Sequence, residues 1–313
     1  MTLTDSARVD RQDPAQPFLL HRVRVARRRR VSDGFMRITF AGPTLDRFAD
    51  PGLDQRIKLI LPAPDGTLDA MPLSADWYTA WRGLPDERRP VIRTYTTRAV
   101  RPAVREVDID LVLHEPCGPA GRFAAGCCEG DEVVLLGPNA DHAGESGGID
   151  FRLPGTARSV LIAGDETALP AVARILGQLP ADVTGCVVLE LPSAGCAAQL
   201  PAHPGVALRV LERGGAPTGT LLHGAVRDAA TELLTPHPGA EPEDVDIDSA
   251  EGMLWEVPGD AGPADERAPF YAWLAGEAGA IKALRRTLVA ELGVDRRAVA
   301  FMGYWRAGRA EGS

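Results

Sequence analysis

Residues 91–100, Val-Ile-Arg-Thr-Tyr-Thr-Thr-Arg-Ala-Val, alternate as a strand does but leave neither face apolar. Val91, Arg93, Tyr95 and Thr97 fall on one side, and Ile92, Thr94, Thr96 and Arg98 on the other. An exposed edge strand would tolerate that mixture. A ligand with a diphosphate and a flat ring, such as a flavin dinucleotide, would use it. Arg93 would fork onto the diphosphate. Tyr95, on the same face, would lay its ring on the ligand's ring. Thr96 would offer hydroxyl and backbone groups to its edge.

Three glycine-bearing stretches could hold phosphates. In His-Glu-Pro-Cys-Gly-Pro-Ala-Gly-Arg-Phe-Ala-Ala-Gly, His114 ends a strand, and Gly118 and Gly121 bracket Pro119 and Ala120. Backbone N–H groups of such a loop can cradle a diphosphate beside Arg122; a hairpin turn is the alternative. In Leu-Ile-Ala-Gly-Asp-Glu-Thr-Ala-Leu-Pro, a buried strand meets a turn at Gly164. Asp165 or Thr167 then caps a helix from about Ala168, with Glu166 in the turn and Pro170 in the first helical turn. Trp-Leu-Ala-Gly-Glu-Ala-Gly-Ala-Ile-Lys repeats the device at Gly276, Glu277 and Gly279. Neither turn is the three-glycine dinucleotide fingerprint. Two helix N-termini along one sheet edge would nonetheless make a nicotinamide cleft. Glu190 ends the next strand, where an acid favours a ribose diol. Arg213 ends the one after it and would instead receive a 2′-phosphate.

The elements that must position these residues fall into two styles. Strands are expected at 21–28, 36–41, 56–61, 93–99, 106–114 and 132–136, separated by turn signals such as Ser32-Asp33-Gly34 and Pro64-Asp65-Gly66. Six strands with no strong helix between them imply an antiparallel barrel or sandwich. The insert 71–90 is expected to be a loop with a short helix, and 139–154 a linker. From 157 onward, strand and helix alternate, which implies a parallel sheet with helices on both faces. The Pro- and acid-rich run 236–268 reads as a surface loop. The expected domains are 18–154 and 155–313.

The net charge of −9 over 313 residues excludes a general nucleic-acid binder, so Arg27-Arg28-Arg29-Arg30 reads as a charged strand end. The longest apolar runs are strand-sized, and the first twenty residues lack the apolar core of a signal peptide, so a cytoplasmic protein without membrane insertion is expected. The five cysteines show no zinc or iron–sulfur spacing, so no metal site is expected.

Taken together, Arg-Thr-Tyr-Thr-Thr-Arg, Gly-Pro-Ala-Gly-Arg-Phe, Gly-Asp-Glu-Val-Val-Leu-Leu-Gly-Pro, Ala-Gly-Asp-Glu-Thr-Ala-Leu-Pro-Ala, Ala-Gly-Glu-Ala-Gly-Ala-Ile-Lys and Gly-Tyr-Trp-Arg-Ala-Gly, in that order, resemble the siderophore-interacting proteins from about Val23 to Gly308. These are flavin-dependent ferric-siderophore reductases related to ferredoxin–NADP reductases. The resemblance implies an N-terminal six-stranded FAD-binding β-barrel and a C-terminal Rossmann-like α/β domain for NADPH (or NADH). It implies FAD contacts at Arg93, Tyr95, Thr96, Thr97, His114, Gly118, Pro119, Ala120 and Gly121. It implies nicotinamide-side contacts at Asp165, Glu166, Thr167, Ala168, Gly276 and Glu277. Lys58, Arg122 and Arg306 would hold an anionic ferric siderophore, whose reduction would release Fe(II) in the cytoplasm. Where the family usually has Ser-Arg-Trp, this chain has Gly121-Arg122-Phe123, which keeps an apolar plane and loses a hydroxyl. The alternatives are a flavin or ferredoxin-type reductase with another acceptor, and a siderophore carrier without turnover.

Overall fold

The computed structural model describes residues 15–113, 117–234, 255–258 and 269–308. The chain divides into two compact units. The first holds most of the chain up to Gly148. The second holds Ile149 onward together with two short excursions, Arg30–Phe35 and Gly52–Gln55.

In the first unit β1 (Phe18–Ser32), β2 (Phe35–Ala41), β3 (Arg56–Leu61), β4 (Val91–Arg101), β5 (Glu106–Val112) and β6 (Glu132–Pro138) close into a barrel in the order β1-β2-β5-β4-β3-β6. The period-2 pattern explains the closure. Val107, Ile109 and Leu111 of β5 are fully buried among Val23, Val25, Ile57, Leu59, Val133 and Leu135. The alternate residues of β5 are acids, and each meets arginine. Asp110 accepts a fork from Arg37 at 2.6 and 2.8 Å. Asp108 accepts a fork from Arg101 at 2.8 and 2.6 Å and a bond from Thr39. Glu106 accepts a fork from Arg27 at 2.7 and 2.8 Å. Asp108 and Asp110 are buried, and buried carboxylates persist where such partners exist.

This network resolves part of the opening puzzle. The pairing of β4 with β5 slips between Thr97 and Ala99. Before the slip Val91 and Tyr95 pack on the barrel core; after it Val100 does. One extra residue reverses the alternation, so neither face of the stretch reads as apolar. Arg98 and Arg101 serve the acids of β5.

The insert forms α1 (Trp77–Arg82). Trp77 and Trp81 pack over Leu20, Ile60, Leu68, Met71 and Val134, outside the barrel. Gly118 opens a helix, α2 (Pro119–Gly126), rather than a hairpin turn.

His21 lies inside the barrel, 1% exposed, with Nδ1 2.9 Å from Thr44 Oγ1. Burial, and then Arg47, lowers its pKa to about 4. The unfolded chain therefore binds this proton first. The stabilising contribution of neutral His21 is complete above pH 6.5 and is lost as pH falls toward 4. His21→Phe should remove about 3 kcal/mol of acid sensitivity. Denaturant unfolding at pH 7 and 4.5 checks this; an equal loss in both proteins would contradict it.

In the second unit β7 (Ser159–Asp165), β8 (Thr184–Leu191), β9 (Val206–Glu212), β10 (Trp255–Glu256), β11 (Phe270–Glu277) and β12 (Val299–Trp305) form a sheet in the order β10-β12-β11-β7-β8-β9. All neighbours are parallel except β10, a short edge strand that the sequence does not announce. Helices α3 (Leu169–Leu176), α4 (Leu222–Leu233) and α5 (Ala278–Arg285) follow β7, β9 and β11. Leaving aside β10, the strands run third, second, first, fourth and fifth. The order reverses between β7 and β11, and ligands of open α/β sheets bind at such a point.

Candidate functional site

In the barrel unit, strand alternation and register sort the predicted residues. Arg93 pairs with Leu59 and Tyr95 with Ile57, so both share the face of Val91. Lys58 pairs with Thr94 on the opposite face, and its Nζ donates to Thr94 Oγ1 at 2.6 Å. Thr94 is a partner that sequence reasoning missed; the cross-strand register would have revealed it. Arg93 Nη1 donates to its neighbour's carbonyl, Ile92 O, at 2.7 Å. Thr96 and Thr97 are both buried, and Thr97 Oγ1 has no hydrogen-bond partner among the described residues. A buried hydroxyl of that kind needs an explanation, and a ligand edge supplies one.

Helix α2 lies against β5 and β3. Tyr95 and Phe123 each pack against the barrel's hydrophobic cluster, to which Ala120 and Ala124 of this helix also belong. Gly118 is the N-cap with no side-chain cap, and Pro119 follows it. A Cβ on Gly118 would meet nothing within 4 Å among the described residues. The first intrahelical bond is Arg122 N–H to Gly118 O, and the N–H groups of Ala120 and Gly121 precede it. Arg122 is exposed, and its Nη1 donates to Cys117 O at 2.7 Å. A bare helix N-terminus, an arginine and a tyrosine on one strand face, and an orphaned hydroxyl fit a flavin dinucleotide. His114 lies outside the described residues.

In the α/β unit the predicted acids are buried or half-buried and occupied. Asp165 caps the turn after β7. Glu166 accepts a fork from Arg213 at 2.9 and 2.8 Å, with both side chains under 10% exposed. Thr167 Oγ1 donates to Asp165, and Ala168 is buried against Gly164. Glu277 caps α5 through Ala280 N–H at 2.9 Å and also accepts from Ala307 N–H at 3.2 Å. Gly276 has φ +153, and a Cβ there would sit 2.7 Å from Asp165 Oδ2. These residues do converge at the switch point, with their carboxylates spent on shaping it. Arg306, next to Trp305, is exposed.

Glu190 and Arg213 are corrected by the structure. Glu190 is fully buried and accepts from Gly219, Leu221 and Leu222 N–H at 2.7, 2.8 and 2.8 Å. It anchors the start of α4 and has no oxygen left for a ribose. Arg213 is held by Glu166 and lies 3.5 Å from Glu190. Trp305 is the residue that sequence reasoning passed over; only Arg306 beside it drew notice. Among the described residues no helix is long and apolar enough to cross a membrane.

Comparison with known proteins gives the same division. Residues 24–142 match the siderophore-interacting FAD-binding domain, and residues 157–308 match the siderophore-interacting protein domain. An uncharacterised protein of Mycobacterium tuberculosis is 30% identical over 297 residues, covering 93% of this chain and 92% of the relative. The NADPH-dependent ferric-chelate reductase of Escherichia coli is 27% identical over 283 residues, covering 90% and 91%. The siderophore-interacting protein SipS from Aeromonas hydrophila superposes with a TM-score of 0.65 at 27% identity, covering 94% of each chain. A barrel matched to an FAD-binding domain and a parallel sheet with a switch point thus lie in one chain, and the chain belongs to the siderophore-interacting proteins.

Proposed function

We propose that this chain is an NAD(P)H-dependent flavoenzyme that reduces ferric siderophores and releases Fe(II) in the cytoplasm. The observation that carries the reading is the row Arg93, Tyr95 and Thr97 on one face of β4, in a barrel that also holds the uncapped start of α2 and is matched to the family's FAD-binding domain. FAD, when bound, supplies the chemistry of hydride acceptance from a nicotinamide and single-electron delivery to Fe(III). The residues bind and orient. Arg93 and the N–H groups of Ala120 and Gly121 hold the diphosphate, Tyr95 supports the ring, and Thr96 and Thr97 hold its edge. Asp165, Glu166, Thr167, Ala168, Gly276 and Glu277 shape the nicotinamide side. NADPH is favoured over NADH by the family resemblance. Glu190, the acid at the end of β8, is buried and committed to α4, and Arg213 is forked onto Glu166, so neither selects between the two nucleotides.

Lys58 and Arg122 of the barrel unit and Arg306 of the α/β unit each attract the anionic ferric chelate against the chain's net charge of −9, since nearby charge outweighs net charge. Fe(II) binds hard oxygen donors less tightly than Fe(III), so reduction frees the metal. The test is NADPH-driven formation of trapped Fe(II) from an anionic ferric siderophore. Turnover should exceed that of free FAD with NADPH, and an equal rate would overturn the reading. Each of Lys58→Ala, Arg122→Ala and Arg306→Ala should raise KM by about fivefold, the worth of one exposed charge contact. Unchanged KM in all three variants would remove them from the substrate site and leave the reductase reading standing.

A further inference from the structure

At the switch point between β7 and β11 the Asp165 carboxylate ties strand ends together. Asp165 is 1% exposed. Its Oδ1 accepts from Thr167 N–H at 2.8 Å and from the Thr167 hydroxyl. Its Oδ2 accepts from Glu277 N–H at 2.8 Å, at the end of β11, and from the Trp305 indole N–H at 2.8 Å, at the end of β12. A carboxylate has about four acceptor sites, and all four are filled. Asp165 therefore has no capacity for a ligand. What it does have is a grip on three strand ends that are far apart in sequence and meet at the switch point.

We propose that Asp165 is a positioning residue whose carboxylate fixes the ends of β7, β11 and β12, Trp305 included, and thereby sets the nicotinamide-nucleotide pocket. This rests on the nicotinamide reading given above. Backbone packing supports the role. A Cβ on Gly164 would meet Ala275 O at 2.3 Å, and one on Gly276 would meet Asp165 Oδ2 at 2.7 Å. The ends of β7 and β11 are thus pressed together at Gly164, and Gly276 leaves the carboxylate no room for a side chain beside it.

The grip depends on charge. Burial, and then the neighbouring Glu166, raises the pKa of Asp165 to about 6. The other ionisable groups around it are Arg213, forked onto Glu166; Glu277, whose own N–H it holds; and Arg306, next to Trp305. A proton on Asp165 settles on Oδ1, because the Thr167 hydroxyl can reverse and accept it, whereas Oδ2 faces two N–H donors. The bonds to Glu277 and Trp305 then survive with a neutral acceptor, at about half their strength. Stability and geometry move in opposite directions. The folded state holds this proton more tightly than the unfolded chain, so Asp165 makes the fold more stable as pH falls from about 6 to 4, while the pocket loosens. A residue that served stability alone would not show that opposition.

Asp165→Asn presents the neutral acceptor at every pH. In full-length protein its affinity for NADP+ should be about fivefold below wild type at pH 7.5, and the gap should close to about twofold at pH 5.5, where most of the wild-type Asp165 carries the proton. The nucleotide's own phosphate titrates alike in both, so the ratio of affinities isolates Asp165. In the absence of nucleotide, the Trp305 indole 1H–15N resonance, assigned by its loss in Trp305→Phe, should move with a midpoint near the pKa of Asp165 in wild type and stay fixed in Asp165→Asn. Should Asp165→Asn fail to fold, Trp305→Phe removes the grip from the donor side and should show the same closing of the ratio. A flat ratio, with wild type still binding NADP+, overturns the positioning role and leaves the nicotinamide reading intact. Wild-type protein that binds neither NADP+ nor NAD+ overturns both.

Discussion

Arg93→Ala will purify with little flavin and will bind added FAD roughly 30- to 1,000-fold more weakly than wild type, the loss of one or two charge-assisted hydrogen bonds. The absorbance ratio of the purified proteins and a fluorescence titration with FAD measure it. The barrel itself should survive, because Arg93 is half-buried and donates within the protein to the adjacent Ile92 carbonyl. Arg98→Ala is the informative contrast. Its guanidinium lies 3.5 Å from Asp110, which also accepts the Arg37 fork, so its loss should reduce stability with little effect on FAD. If both variants keep flavin equally well, the division of the opening stretch into a ligand-facing and an acid-facing part is wrong.

Glu190→Ala should destabilise the α/β unit by about 3–5 kcal/mol, as for breaking a buried charged network. Three N–H groups at the start of α4 and the Arg213 guanidinium lose an acceptor at a site with no exposure. Glu190→Gln should lie between, since an amide keeps one acceptor oxygen and turns an NH2 toward donors. Urea unfolding measures both. A variant as stable as wild type that changes the choice between NADH and NADPH would return Glu190 to the ribose role the sequence suggests for it.

That reversal shows where sequence reading stops. An acid at the end of the second strand of such a sheet is the usual ribose ligand. Its diversion to a helix start depends on where Gly219, Leu221 and Leu222 arrive, some thirty residues later. The bulge after Thr97 is hidden for a similar reason, since it exists only in the pairing of β4 with β5. Local rules succeeded where local chemistry decides. β3 spans the expected Arg56–Leu61, Asp165 caps the turn after β7 with Pro170 following, the strand pattern narrows the first unit to a barrel or a sandwich, with the resemblance choosing the barrel, and the strand–helix pattern matches the parallel sheet. The Pro-Ala-Gly-Arg-Phe run looks like a loop because Gly118, Pro119 and Gly121 punctuate it. Yet Gly118 as cap and Pro119 at the first position suit a helix start. Trp305 has no signal of its own, because its partner lies 140 residues away.

The central claim is electron flow from NADPH through a barrel-bound flavin to a ferric siderophore. The most direct measurement is the visible spectrum of the purified protein without oxygen, first with NADPH and then with an anionic ferric siderophore and an Fe(II) trap. The account predicts a flavin band that bleaches with NADPH and returns as trapped Fe(II) accumulates. A band that bleaches and stays bleached on the chelate, or a protein that neither carries nor takes up FAD, would contradict it.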